Sequence, residues 1–160
     1  MRLLIAAVGR QKAGPEAAIV EEYLGRIRAA GRPLGVFDVE VREIEAPKGA
    51  DASKRKRLES ELLLAAIPDR ARTIVLDGRG DQMSSESFAR LLADWRDQGT
   101  PVIAFLIGGA EGLDRPALAA ADRTIGFGAA TWPHLLVRAM LVEQIYRAMT
   151  ILSGHPYHRA

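Results

Sequence analysis

The last residues of the sequence carry an unusual concentration of groups that can exchange protons or bind anions. Two imidazoles, a phenol and a guanidinium occur within five positions: His155, Tyr157, His158 and Arg159. Imidazole changes its charge near neutral pH and is a common proton acceptor. Chain ends are usually disordered and seldom hold such a cluster. We therefore expect the tail to deliver acid–base or substrate-binding groups to a pocket. The alternative is a packed tail with a satisfied histidine.

Three loops rich in small residues each follow an apolar run. They are DGRG at 77–80, GGAEG at 108–112 and FGAATWP at 127–133. Any one of them is most simply a tight turn. Ligands of open α/β sheets bind outside the carboxyl ends of the strands, so three such loops together predict a shared pocket. With few charges in the loops, we expect backbone groups to hold an adenine or another uncharged heterocycle.

Several familiar catalytic motifs are missing from the sequence. There is no Gly-Lys pair for a P-loop and no Gly-x-Ser-x-Gly nucleophile elbow. Gly78-x-Gly80 follows the third predicted strand and has Met83 where a dinucleotide fingerprint needs its third glycine. The three histidines lack zinc-site spacing, so we predict no metal site. The absence of cysteine excludes disulfide scaffolds, iron–sulfur clusters and thiol catalysis.

Composition indicates an ordinary globular protein. The 160 residues are 48% hydrophobic and 26% charged, which predicts one domain over residues 1–160. No apolar run is long enough to span a bilayer or to act as a signal peptide, and we expect a soluble cytoplasmic protein. The formal net charge is only +2, but both ends are locally basic. They form either a phosphate-binding patch or a solvated surface.

The elements that must position these groups alternate along the chain. Apolar runs predict strands at 2–8, 36–44, 73–77, 101–107 and 123–127. Helical spacing, caps and stops predict helices from 15 to about 31, at 53–67, from Ser84 to Gly99, at 115–121 and at 134–152. Strands joined by helices, and apolar on both faces, indicate an α/β fold with a mostly parallel sheet covered on both sides.

The last predicted helix, 134–152, has almost no polar face. A helix that is apolar all round has to be covered all round. We interpret it as a subunit interface, with a central core helix as the alternative. Arg138 is the exception within this apolar stretch, and a buried guanidinium is costly unless it has a partner or a task.

Taken together, these segments resemble a known family. LIGGAEGL, ATWPHLLVR and the closing HPYHR, together with RLLIAAVG, EEYLGRI and IVLDGRG, are similar to the RlmH branch of the SPOUT methyltransferases. The resemblance covers nearly the whole chain, and the order and spacing of its motifs make it specific.

The resemblance implies a C-terminal trefoil knot, a homodimer and the cofactor S-adenosylmethionine. It implies methylation of N3 of a pseudouridine in helix 69 of 23S rRNA, on the assembled 70S ribosome. Carried over by position, the cofactor-binding residues are Leu76, Gly108, Phe127, Gly128, Ala129, Ala130, Thr131 and Trp132. The tail would face the partner subunit's pocket.

The same resemblance suggests catalytic roles. His155 or His158 would accept the N3 proton, with Tyr157 beside them, and Arg138 or Arg159 would stabilise negative charge on the ring oxygens. The alternative for Arg138 is an ion pair with an acid across the dimer. RNA contacts would come from Arg2, Arg10, Lys12, Arg26 and the run 54–57. Two rival interpretations remain, a flavodoxin-like nucleotide- or flavin-binding module and a non-catalytic ribosome-associated factor.

Overall fold

A computed structural model describes residues 1–45 and 49–158. They form a sheet of five parallel strands in the order β2-β1-β4-β3-β5. The strands are β1 (Arg2–Val8), β2 (Asp38–Ile44), β3 (Arg72–Asp81), β4 (Val102–Ile107) and β5 (Arg123–Ile125). The α/β fold and the parallel sheet are therefore confirmed. Arg159 lies outside the described residues.

Helices connect the strands in the predicted order. They are α1 (Pro15–Gly31), α2 (Ala52–Ala65), α3 (Ser85–Asp97), α4 (Arg115–Ala119) and α5 (His134–Ser153). The predicted caps at Ser84 and Asp114 are confirmed, because each side chain accepts a backbone N–H from the first turn of its helix. These caps begin α3 and α4 immediately after loops at the carboxyl edge of the sheet.

The sheet is the middle of three layers. One face packs against α1, α3 and α5 through alternating strand residues such as Ile5, Ile74 and Phe105. The other face packs against α2 and α4 through residues of the opposite parity, such as Ala6 and Leu106. Both faces are dry, which explains why β4 is a continuous apolar run with every residue buried.

β3 departs from its prediction because it continues to Asp81, so that both ends of the segment 76–81 pair with the end of β5. Both Leu76 and Asp81 align with Ile125, and the backbone N–H of Gly126 donates to the carbonyl of Asp81 at 3.1 Å. A Cβ added at Gly80 would lie 2.6 Å from the backbone of Ile125, and one at Gly126 would lie 2.7 Å from the carbonyl oxygen of Asp77. A close approach of this kind is compatible with the trefoil knot that the resemblance implies.

The apolar helix α5 is the central helix of its layer within one chain. It lies between α1 and α3 on one face of the sheet, and the side chains that it buries there include Leu141, Val142 and Ile145. The alternative interpretation, a central core helix, therefore accounts for much of its apolar surface. Leu135, Leu136 and Met140 remain only partly covered. Within the described ranges, no helix combines the length and apolar character needed to cross a membrane.

Candidate active site

The three small-residue loops line one cleft at the carboxyl edge of the sheet. Its volume is about 680 Å³, within the range usual for small-molecule sites. Every residue that the resemblance assigned to the cofactor lies in its wall: Leu76, Gly108, Phe127, Gly128, Ala129, Ala130, Thr131 and Trp132. The shared pocket predicted from the sequence is thus present in the fold.

The cleft also includes residues to which the sequence analysis assigned no role: Ile107, Ile125, Gly126, His134 and Val137. Gly126 lies in the wall because it follows β5 directly and packs against the segment 77–81 of β3. His134 reaches it because α5 begins at the edge of the cleft. The histidine in the WPH segment was the available signal for this position, since a titratable side chain directly after a ligand-binding loop is a candidate site residue.

Backbone groups and short side chains dominate this surface. Among the residues that the structure describes, Asp77 and Arg79 form an ion pair in this wall, in which Arg79 Nε donates to Asp77 Oδ1 at 2.9 Å. This pairing holds the pKa of Asp77 below its usual range. The indole Nε1 of Trp132 donates to the carbonyl of Phe127 at 3.1 Å and closes the loop on itself. A ligand here would meet peptide N–H and C=O groups rather than a cluster of cations.

Arg138 lies one turn beyond His134 and is completely buried. Its guanidinium donates to Glu43 Oε1 at 2.8 Å, to Gln11 Oε1 at 3.3 Å and to the carbonyl of Gly9 at 3.0 Å. Glu43 belongs to β2 of the same chain, so the expectation of an acid across a dimer is corrected: the partner is internal. The bridge ties α5 to the loop that follows β1.

His134 stands between this bridge and the cleft. Burial lowers the pKa of His134, and the cation of Arg138 lowers it further. Its Nε2 lies 3.1 Å from where a Cβ would stand on Gly9, whose φ of +90° also favours glycine. The imidazole is therefore neutral near pH 7 and presents a polar but uncharged edge at the mouth of the cleft.

The tail turns back along α5. Gly154 ends the helix in the left-handed region, and the N–H of His155 then donates to the carbonyl of Thr150 at 2.9 Å. The hydroxyl of Tyr157 bonds to Glu143 at 3.0 Å and to the hydroxyl of Tyr23 at 2.9 Å. Burial and these two bonds raise the pKa of Tyr157, so it stays a neutral phenol.

The two tail histidines differ in their surroundings. His155 is exposed, and its Nδ1 accepts the backbone N–H of Tyr157 at 3.1 Å. The side chain of His158 is 19% exposed and places Nε2 3.2 Å from Glu86 on α3. Residues 155–158 do not line the cleft of their own chain. The residues predicted to bind the cofactor thus line one cleft, while the described tail residues 155–158 lie elsewhere, so one chain does not bring the two predicted sets together.

Comparison with known proteins decides the family. The family described as "Predicted SPOUT methyltransferase" matches residues 1–158. The chain belongs to the SPOUT methyltransferases. Among curated members, a protein of Rhodospirillum centenum is 52% identical over 160 residues, and one of Xanthobacter autotrophicus is also 52% identical over 160 residues. A third, from Rhodopseudomonas palustris, is 49% identical. Each alignment covers 100% of both chains, and each relative is named Ribosomal RNA large subunit methyltransferase H.

This SPOUT membership confirms the RlmH resemblance and removes one rival. A flavodoxin-like binding module shares the alternation of strands and helices, but it does not account for full-length similarity to these methyltransferases. The close approach of Gly126 to residues 77–81 lies where the knot of a SPOUT methyltransferase is expected.

Proposed function

We propose that this protein transfers the methyl group of S-adenosylmethionine to N3 of a pseudouridine in helix 69 of 23S rRNA, acting on the assembled 70S ribosome. The observation that carries the proposal is full-length identity of about 50% to relatives named as large-subunit rRNA methyltransferases, in a chain that also forms a backbone-lined cleft. We place the activity in the cytoplasm, where ribosomes are found.

The cleft suits the cofactor. Its volume and its peptide-rich wall match an adenine nucleoside that carries no phosphate. Leu76, Gly108 and the 127–132 loop would hold it through their backbone groups and short side chains. When bound, the cofactor supplies an activated methyl group on a positively charged sulfur.

The protein's own task is then to position two reactants and to move one proton. Holding N3 of the pseudouridine in line with the methyl group can increase the reaction rate by many orders of magnitude. His155 or His158 accepts the N3 proton, with Tyr157 beside them, and Arg159 stabilises negative charge on the ring oxygens. Because the tail does not line its own cleft, we propose a homodimer in which the tail of one chain serves the cleft of the other.

Arg138 has a different place in this proposal. Among the described residues, the guanidinium of Arg138 donates hydrogen bonds to Glu43, Gln11 and the Gly9 carbonyl, and the side chain has no exposed surface. We therefore treat it as a positioning residue, which holds the loop carrying Arg10 and Lys12, rather than as a group that touches the base.

The surface charge supports recognition of an assembled ribosome rather than of naked RNA. Several cations proposed to contact RNA already have acidic partners: Arg10 pairs with Glu45 and Arg26 with Glu22, while Arg55 and Arg57 pair with Glu111 and Glu61. Affinity for isolated RNA grows with the number of phosphates neutralised. Shape recognition on the ribosome would compensate for this modest charge.

The deciding experiment offers labelled S-adenosylmethionine to 70S ribosomes that lack the modification, and in parallel to free 23S rRNA. Label at one pseudouridine in ribosomes, with little in free RNA, is the expected result. Binding of the cofactor without transfer to either substrate would overturn the proposed target, and failure to bind the cofactor would favour a non-catalytic ribosome-associated factor.

A tail variant makes the test specific. His155→Ala should lower methyl transfer by about 100-fold or more, the usual range for a general base, and should leave the cofactor Kd nearly unchanged. His155 is exposed, so the variant should fold. Ser153→Ala, at the exposed end of α5, is the matched control and should retain activity. An equal loss of affinity and rate in His155→Ala would contradict the assignment.

A further inference from the structure

A buried carboxylate lies behind the cleft and takes no part in the chemistry described above. Glu59, on α2, is only 4% exposed. Among the residues that the structure describes, its Oε2 has no hydrogen-bond partner. Buried charges are normally paired, so an unpaired carboxylate oxygen in a folded protein calls for an explanation.

Glu59 and the cleft are separated by one residue. Gly109 lines the cleft, and a Cβ built on Gly109 would lie 2.7 Å from Glu59 Oε2. The same Cβ would lie 3.1 Å from Val8 Cγ1. A side chain at position 109 would therefore have to displace the Glu59 carboxylate. Because Gly109 itself lines the cleft, the Glu59 carboxylate lies directly behind the cleft wall.

We propose that Glu59 is a buried counter-charge for the cationic methyl donor and makes the cleft prefer the donor over its product. The inference rests on the proposed function. S-adenosylmethionine carries a positive sulfonium, whereas S-adenosylhomocysteine, left after transfer, has a neutral thioether. An ionised carboxylate behind Gly109 attracts the sulfonium of the donor. The neutral thioether of the product feels no such attraction, so it is lost once the methyl group has been transferred.

Few charged groups lie near the Glu59 carboxylate, so a cation in the cleft would change its electrostatic environment. Arg55 on α2 and Glu111 in the loop are the charged groups that act on it, and they pair with each other at 3.6 Å. The elements packed against α2 contribute aliphatic side chains, including Val8, Leu113 and Ala117. Burial raises the pKa of Glu59, with Glu111 acting in the same direction and Arg55 opposing it.

The consequence is a pH-dependent preference. Above its raised pKa, Glu59 is ionised and favours the sulfonium. As the pH falls through that pKa, the carboxylate is neutralised and the preference for donor over product is lost. The sulfonium lowers the pKa of the donor's amino group relative to that of the product. This contribution comes from the ligands and is the same for the wild type and Glu59→Gln, so the difference between the two proteins isolates the effect of Glu59.

The experiment measures the Kd of the purified protein for S-adenosylmethionine and for S-adenosylhomocysteine by calorimetry between about pH 5 and pH 8. Glu59→Gln keeps the shape and removes the charge. It should fold, because a buried carboxylate with raised pKa costs stability when ionised. Glu61→Gln, an exposed position on the same helix, is the control.

For the wild type and Glu61→Gln, the preference for the donor should rise with pH. In Glu59→Gln the preference for the donor should be lower by a factor on the order of ten at a pH where Glu59 is ionised in the wild type, because a Coulomb attraction to the sulfonium has been removed, and it should vary less with pH than in the wild type. An unchanged pH profile in Glu59→Gln, or an equal loss of affinity for both ligands, would overturn the proposal. Failure of the wild type to bind either ligand would instead count against the proposed function.

Discussion

Arg138 shows how one side chain can join parts of the molecule that are distant in sequence. Its acceptors belong to the end of β1, to the following loop and to β2, while the arginine itself belongs to α5. Its side chain has no exposure and that of Glu43 has 32%. A buried pair of this kind contributes little compared with an apolar replacement of both partners, but removal of one partner leaves the other charge uncompensated.

We therefore expect Arg138→Met to lower the free energy of unfolding by about 3 kcal/mol, because Glu43 and the Gly9 carbonyl lose their donors. Arg57→Met, which removes a 63% exposed arginine paired with Glu61, should cost less than about 1 kcal/mol. Urea denaturation of both variants measures the difference. Similar midpoints and slopes for the two proteins would show that the buried bridge is not needed for stability.

At the scale of elements, the feature that positions the cleft is the close packing of the segment 76–81 against the end of β5. Residues at both ends of this segment align with the same strand residue, Ile125. The close packing leaves no space for side chains at Gly80 and Gly126. At Gly78 in the same segment, a Cβ would meet nothing within 4 Å.

Gly80→Ala should therefore destabilise the protein by about 3 kcal/mol or more, since backbone atoms at 2.6 Å cannot move aside as a side chain can. Gly78→Ala should change the free energy of unfolding by less than about 1 kcal/mol. Thermal unfolding of the matched pair is the measurement. Equal melting temperatures would mean that the segment opens readily and that the close packing is not a constraint.

At the scale of the whole molecule, the cleft residues and the tail residues 155–158 have to act on the same substrate although they lie apart in one chain. The cleft lies at the start of α5, and residues 155–158 do not contribute to it within one chain. Leu135, Leu136 and Met140 give the start of α5 a partly exposed apolar surface. A second copy covering that surface would be an isologous partner, the commonest arrangement of small oligomers.

Mixed dimers test this arrangement. A double variant, His155→Ala with His158→Ala, removes the tail groups, and Ala130→Trp fills the cleft. Each protein alone should be inactive. Co-expressed chains should regain about one quarter of wild-type methyl transfer, because half of randomly formed dimers are mixed and each has one complete site. No recovery in isolated mixed dimers would place each tail at its own cleft instead.

The sequence predicted most elements to within two residues, because caps, glycine stops and apolar runs are local signals. It predicted the shared cleft because parallel strands present their carboxyl ends at one edge. The extension of β3 to Asp81 and the internal partner of Arg138 were not predicted. Both depend on which distant segments meet, and periodicity carries no information about that. Glu59 was missed for the same reason, since a glutamate in the middle of a mixed helix is ordinarily solvated.

The trefoil knot that is expected of the family would have a kinetic consequence. A chain that folds into a knot has to thread one segment through a loop of another before the sheet is complete. Steps that join distant segments are slow because loop-closure entropy is lost before contacts are gained. A degradation machine that pulls on the C-terminal end would tighten such a knot instead of releasing it. Such a protein should resist pulling from that end more than pulling from the other.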